Sequence, residues 1–354
     1  LVQANNARYQ YYSGLLKYKR TFAEVHNIDA MFGISAEKWV NKKVVTAREK
    51  FEDAGIYDLN LATGTQGNGG GKTHNGTYSY IARLNYNYAE KYMVELMGRR
   101  DGNSKFAPGY RFKSFGSVSL GWAFSEEQFV EFLKPVLSFG KLRLSYGSSG
   151  NDVGLGDYDY VSTVSLGTAG FGTIPANQVS SGFGGLISYD RTWEKVSQKN
   201  FGIDLNFFDN RLKATFDYFI KDNTGMLVNV TYPGVLGGKA PKTNSGHLNV
   251  KGWEFTIGWR DQIKDFSYYA NFNIGDTKSL LKEMEGADSY GAGWNAAVNG
   301  YPLNSYFLYR TDGYFKDQAE VDRYYALYGE GKEDLTGVGA VSYTHLRAHE
   351  TLAN

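Results

Sequence analysis

Residues 211–221, RLKATFDYFIK, carry Leu212, Ala214, Phe216, Tyr218 and Ile220 on one side and Arg211, Lys213, Thr215 and Asp217 on the other. A repeat of two is the signature of a strand with one apolar and one wet face. The same alternation recurs at 265–275, where Phe266, Tyr268, Ala270, Phe272 and Ile274 oppose Asp265, Ser267, Asn271 and Asn273. Trp253, Phe255, Ile257 and Trp259 oppose Glu254, Thr256 and Arg260, and Phe201, Ile203, Leu205 and Phe207 oppose Asn200, Asp204 and Asn206. Nearer the N-terminus, Tyr78 to Tyr88 alternate with Ser79, Arg83, Asn85 and Asn87, and Leu142, Leu144 and Tyr146 alternate with Lys141, Arg143 and Ser145. Weaker versions lie at 9–20, 26–37, 92–101 and 114–124.

That makes about ten strands, many exceeding the ~9–11 residues that a tilted strand needs to cross a bilayer. Their connections alternate in size. Short links fall at 21–26, 89–91, 209–210 and 261–265; long links rich in Gly, Asn, Ser and Asp fall at 50–76, 102–112, 150–192, 224–248 and 285–304. One link, 125–136, SEEQFVEFLKPV, reads as a short helix from its Ser-led acidic start. Tight turns on one side and large loops on the other are the organisation of an outer-membrane β-barrel. Antiparallel pairing of successive strands puts all short links at one end and all long links at the other. Tyr88, Tyr92, Trp122, Phe124, Phe207, Phe208, Trp259 and Phe266 flank the short links, where an interfacial aromatic girdle belongs. A large soluble β protein would not sort its loops by length in this way.

Composition narrows the chemistry. The 354 residues hold 38 basic and 37 acidic side chains and no cysteine, but 28 Tyr, 22 Phe and 6 Trp. A net charge of +1 lacks the basic excess that nucleic acid requires, and without cysteine there are no disulfides, thiolate nucleophiles or thiolate metal sites. No apolar run approaches the ~18 residues of a membrane helix. The start, LVQANNARYQ, has neither Met nor a leader pattern, so the chain reads as an internal piece of a longer protein.

Linear motifs give no catalytic or metal site. GNGGGKTHNG at 67–76 resembles a phosphate-binding loop, but the required first Gly position holds Gln66, so it reads as a flexible loop. DGN at 101–103 reads as a turn. His345 and His349 share a ligand-like spacing without further ligands nearby. No cofactor is expected.

Several longer stretches are familiar. RRDGNSKFAPGYRFKSFGSVSLGWAFSEEQF (99–129), LRLSYGSSGN (142–151), WEKVSQKNFGIDLNFFDNRLKATFDYFIKDNTGMLVNV (193–230), NSGHLNVKGWEFTIGW (244–259) and GYPLNSYFLYRTDGYFKDQAEVDRY (300–324) closely resemble the barrel of SusC/RagA-like TonB-dependent transporters of Bacteroidetes. The resemblance implies an all-β antiparallel transmembrane barrel in the outer membrane, of which residues 1–340 supply roughly half of about 22 strands. It also implies import of glycans or peptides with a SusD-like lipoprotein as lid and TonB as energy source, and no enzymatic activity. The family's plug and TonB-contacting segment lie upstream and are not in this sequence. An open half-barrel leaves unpaired edges that hydrocarbon does not tolerate, so transport is expected of the longer parent. A passive porin-like pore is the alternative reading, and a barrel enzyme the third.

In the parent, the apolar sets face lipid. Arg83, Asn85, Asn87, Lys141, Arg143, Asp204, Asn206, Lys213, Asp217, Glu254, Asn271 and Asn273 face the lumen or the plug. Tyr158, Tyr160, Trp193, Tyr290 and Trp294 are the candidate contacts for substrate or lid, since exposed aromatics stack on sugar rings. The last stretch, VSYTHLRAHETLAN (341–354), abandons the alternation and resembles translated sequencing-adapter DNA, so it is expected to be a non-native tail.

Overall fold

The computed structural model describes residues 2–51, 55, 58–171, 176–183, 185–229, 235, 241–285, 293–308, 311–328, 341–343 and 349–350. Six strands come first: β1 Val2–Phe22, β2 His26–Arg48, β3 Gln66–Tyr88, β4 Tyr92–Asn103, β5 Phe112–Trp122 and β6 Leu137–Asn151. A hairpin, β7 Val164–Phe171 and β8 Ala176–Phe183, is followed by β9 Glu194–Phe207, β10 Leu212–Asn229, β11 Lys242–Ile263 and β12 Phe266–Met284. Ten of these form one sheet in the order β1-β2-β3-β4-β5-β6-β9-β10-β11-β12, with every pairing antiparallel. The hairpin β7-β8 stands apart inside the link from β6 to β9.

The pairing places each expected strand on a shared apolar face. Leu142 opposes Ile203, Ile203 opposes Phe216, Phe216 opposes Phe255 and Phe255 opposes Ile274, giving one continuous apolar row across five strands. Cross-strand rows of this kind are the unit of sheet stabilisation.

The short links gather at one end, as consecutive antiparallel pairing demands. Neighbouring links are joined there by backbone hydrogen bonds: Ala89 N donates to Val25 O (2.7 Å), Ala123 N to Lys91 O (2.8 Å), Phe208 N to Val136 O (2.9 Å) and Arg260 N to Arg211 O (2.8 Å). Ala23 and Glu24, and Ala89 and Glu90, adopt positive φ of 45°, 62°, 51° and 59°. Two consecutive left-handed residues are what the tightest hairpin turns require. The aromatics expected as a girdle are in contact at this end: Tyr88 with Tyr92 at 6.3 Å between ring centroids, Trp122 with Phe124 at 6.0 Å, and Phe208 with both Phe207 and Trp259 at 6.3 Å. Glu127, in the link after β5, accepts from Tyr92 Oη at 2.6 Å and Trp122 Nε1 at 3.2 Å. Those two bonds, with Lys91 nearby, hold its carboxyl below the usual carboxylate range. A depressed carboxylate of this kind supports the link above its unfolded-state pKa and loses that support as acid protonates it.

Three expectations need correction. GNGGGKTHNG is not a loop: residues 67–76 lie within β3, paired with Ala47 through Lys38 of β2. Ladder bonds come from the backbone, so the glycines pair without supplying any side-chain period. The long links are correspondingly shorter, at 49–65, 104–111, 152–193 and 230–241. DGN at 101–103 is not a turn: it closes β4, with Asp101 and Gly102 paired to Lys113 and Phe112 of β5. The short helix expected at 125–136 is present as two 3-10 segments, Phe124–Glu126 and Gln128–Leu133. The α-helix among the described residues is Gln318–Tyr328, whose start carries a reciprocal cap: Asp317 Oδ1 accepts from Glu320 N (2.8 Å) and Glu320 Oε2 accepts from Lys316 N (2.8 Å).

Candidate functional site

Two parts of the sheet carry chemistry, the polar wall and the loop end. On the wall, Arg143 opposes Gly202 and Gly202 opposes Asp217, so the arginine and Asp217 stand two strands apart in one row. The guanidinium bridges that gap. Its Nε donates to Asp204 at 2.7 Å, while Nη2 donates to Asp204 at 3.0 Å and to Asp217 at 2.9 Å. Asn200 Nδ2 donates to the other oxygen of Asp217 at 3.0 Å. Gly202 is what allows the crossing: a Cβ there would lie 2.6 Å from Asp217 Oδ1 and 2.7 Å from Arg143 Cζ. The four residues tie β6, β9 and β10 together on the wet face.

Removing the arginine leaves two carboxylates facing each other, half-exposed, and Arg143→Met is expected to lower barrel stability by about 1–3 kcal/mol. Gly202→Val is expected to cost a similar ~1–3 kcal/mol by displacing the guanidinium. The double variant is expected to cost less than the sum, because each change breaks the same bridge. Urea unfolding of the four variants in a double-mutant cycle checks this, and strict additivity would disprove the crossing.

At the loop end, the long links pack on one another. Trp193, Phe106, Phe115 and Leu155 form a buried cluster with Leu227 against it; ring centroids lie 5.2 Å from Trp193 to Phe106 and 6.2 Å to Phe115. Trp193 Nε1 donates to Arg111 O at 2.8 Å, and Lys113 Nζ donates to Trp193 O at 2.7 Å. Gly150 gives room for this packing, since a Cβ there would lie 2.4 Å from Phe115 and 2.9 Å from Trp193. Beside the cluster, buried Glu194 accepts from Asn151 Nδ2 (2.8 Å), Asn223 Nδ2 (3.3 Å) and Leu227 N (2.7 Å). Arg191, also buried, donates to Ser188 O (3.0 Å) and to Asp159 O, and Asn244 Nδ2 donates to Thr192 O at 2.8 Å and Gly225 O at 2.7 Å. The link 152–193 is therefore anchored at its base to β5, β10 and β11, and Asn103 Nδ2, donating to Asp152, ties it to β4.

This geometry separates the five aromatic candidates. Trp193 is 8% exposed and fully engaged in packing, so it holds the loop base and offers no free ring to a ligand. Tyr158 bonds His74 Nδ1 of β3, and Tyr160 Oη accepts from Arg111 Nη2 at 3.4 Å. Both tyrosines remain partly exposed. The backbone of Trp294 lies in strand Gly293–Ala296, and Tyr290 falls outside the described residues. The described part of link 285–304 folds back on β12, with Gly300 N donating to Leu281 O (2.8 Å) and Leu281 N to Tyr301 O (2.9 Å).

A further aromatic group was not among the candidates. Tyr9 and Trp39 oppose each other across β1 and β2, on the same face as Lys19, Asp29 and Asn85, with ring centroids 5.6 Å apart and exposures of 53% and 44%. Glu37 stands beside them, and desolvation together with that carboxylate holds the Tyr9 phenol above its usual range. Trp39 falls between the strand expected at 26–37 and the link expected at 50–76, where Lys38, Val40, Lys42 and Glu37, Asn41, Lys43 give neither face an apolar period. Among the described residues no group of three His, Asp or Glu side chains is placed to hold a metal.

An antiparallel meander with girdled tight turns at one end, a charged wet wall and packed loops at the other defines a segment of an outer-membrane receptor barrel. The chain belongs to the TonB dependent receptor-like β-barrel family, whose model matches residues 2–348. It is 28% identical over 316 residues to TonB-dependent receptor P39 of Formosa agariphila, covering 84% of this chain and 28% of that protein. It is 28% identical over 256 residues to TonB-dependent receptor SusC of Bacteroides thetaiotaomicron, covering 67% of this chain and 25% of SusC. The chain thus spans between a quarter and a third of the curated relatives it matches. The fold superimposes on the structure of the RagAB peptide transporter with a TM-score of 0.79 at 23% identity, covering 89% of this chain and 35% of that one. The family is one of outer-membrane receptors, not of enzymes.

Proposed function

We infer that this chain is the barrel wall and part of the outer mouth of an energised importer that takes up glycans or peptides, with a SusD-like lipoprotein closing the mouth and TonB supplying the energy. The observation that carries this reading is the mouth itself. Partly exposed Tyr158 and Tyr160, on an anchored link, and Tyr9 and Trp39, on the wet face of projecting strands, lie at the loop end in a relative of SusC. Aromatic faces of this kind suit sugar rings and apolar peptide side chains alike, and RagAB, whose fold this chain shares, is a peptide transporter. Recognition is assigned to the segments 150–192 and 285–304, with Tyr158, Tyr160, Tyr290 and Trp294 as candidate contacts, and not to the short turns.

Shortening both segments in a complete receptor, with surface expression verified, is expected to abolish uptake or lid association. Survival of both activities would move recognition to the plug or to other strands.

The tail from about residue 341 is proposed to be appended adapter sequence, with residues 1–340 as the barrel segment. The family match extends into this tail, to residue 348, so the decisive observation is the source DNA itself. Resequencing after adapter trimming is expected to replace VSYTHLRAHETLAN, and an uninterrupted native frame through Asn354 would overturn the proposal.

A further inference from the structure

A line of lysines crosses the apolar face at the loop-side limit of the lipid band. Lys199 opposes Ile220, Ile220 opposes Lys251 and Lys251 opposes Lys278, so three lysines on four adjacent strands share one row. By strand alternation they project from the same face as Phe201, Tyr218, Trp253 and Ile274, and all three are exposed. The row lies eight residues along β10 from Leu212, which begins the strand at the girdle end, and so falls near the far side of the hydrocarbon layer. Because the tight turns of such barrels are periplasmic, this side is the outer leaflet.

Among the described residues none of the three lysines forms an ion pair. Three acids share the face; Glu283 opposes His247 two rows above the lysines, in the row where Lys195 opposes Thr224. Asp222 is one row above the lysines and is already engaged by His247 Nε2 at 3.0 Å, Asn249 Nδ2 at 2.9 Å and Lys282 Nζ at 3.6 Å. Asp276 is one row below and opposes Trp253. With Lys195 and Lys282 included, the patch holds five ammonium groups against three carboxylates.

We propose that Lys199, Lys251 and Lys278 form a docking row for the phosphorylated headgroup of an outer-leaflet glycolipid, whose acyl chains lie along Phe201, Tyr218, Trp253 and Ile274. Lys251 and Lys278 sit on adjacent strands, about 5 Å apart at the backbone, a spacing at which two ammonium groups share one phosphate. Lys199, two strands further, is about 10 Å from Lys251 and meets a second anionic group of the same headgroup. Long lysine stems suit this position because they lie along apolar surface while the ammonium reaches the polar layer. Charge complementarity and continuity with the lipid-facing band distinguish this row from the lumen wall, where Arg143 is neutralised by Asp204 and Asp217.

The test is native mass spectrometry of a complete receptor carrying this segment, purified in neutral detergent and titrated with phosphorylated lipid A, with dephosphorylated lipid A, or with inorganic phosphate. The triple variant Lys199→Gln, Lys251→Gln, Lys278→Gln is expected to bind phosphorylated lipid A about tenfold to hundredfold more weakly, while Lys213→Gln on the opposite face leaves binding unchanged. Dephosphorylated lipid A is expected to bind the unaltered receptor as weakly as the triple variant binds the phosphorylated form. Heat-modifiable electrophoretic mobility verifies folding. If the triple variant does not fold, Lys251→Gln and Lys278→Gln alone are each expected to weaken binding about fivefold. Equal binding by altered and unaltered receptor would overturn the proposal. So would indifference to the lipid's phosphates, or inorganic phosphate binding with the same lysine dependence and displacing the lipid.

Discussion

Trp193→Ala is expected to release the base of the 152–193 link, with a local loss of about 3–5 kcal/mol. The ring is the centre of the Phe106–Phe115–Leu155 cluster, and its indole N–H satisfies Arg111 O. Truncation therefore opens a cavity and leaves Arg111 O with Asn103 N (3.2 Å) as its donor in place of two. The loss is confined to the loop end, because the transmembrane rows do not touch this cluster. Hydrogen exchange at residues 152–163 and 185–193 is expected to accelerate by at least a hundredfold while the amides of β9 below Lys199 keep their protection. Trp193→Phe, which keeps most of the volume and loses the N–H, is expected to cost only about 1–2 kcal/mol. An exchange pattern unchanged in Trp193→Ala would mean that the link is held by its polar anchors alone.

Phe216→Arg places a charge in the middle of the apolar row formed with Ile203 and Phe255, four residues from either end of the band bounded by Leu212 and Ile220. At the bilayer midplane this substitution is expected to cost about 2–4 kcal/mol. Thr215→Arg, on the next residue and the opposite face, is expected to cost under ~1 kcal/mol because its side chain enters the wet wall. Folding equilibria of the two variants in lipid vesicles compare the faces directly. Equal costs would contradict the division into a lipid face and a lumen face.

What the sequence made legible was whatever depends on a side-chain period. Phe216, Phe255 and Ile274 declare their face by alternation, and the register then only aligns rows already defined. Residues 67–71 carry mostly glycine, so the upper part of β3 emits no period, although its backbone pairs as fully as any other. Trp193 and Tyr158 look alike in a loop sequence; burial separates them, and burial depends on Phe106, from the link 104–111, and Phe115, from β5. The Arg143–Asp217 bridge joins residues 74 positions apart and exists because Gly202 stands between them, a relation that only strand register reveals. The pair of Tyr9 and Trp39 is illegible for a related reason: the lysines and valines on both sides of Trp39 give neither face of that stretch an apolar period, and only register sets the two rings together.

The strands that carry Tyr9 and Trp39 do not stop at the bilayer. β1, β2 and β3 contain 21, 23 and 23 residues, about twice a membrane crossing. Their upper halves make a three-stranded, ladder-bonded blade in the position where a coil would otherwise cover the mouth. A visiting molecule that meets those rings finds them already held in place, so little chain freedom remains to be lost on contact. Under the proposed function, recognition on this side of the entrance would be rigid and carry a small entropic penalty.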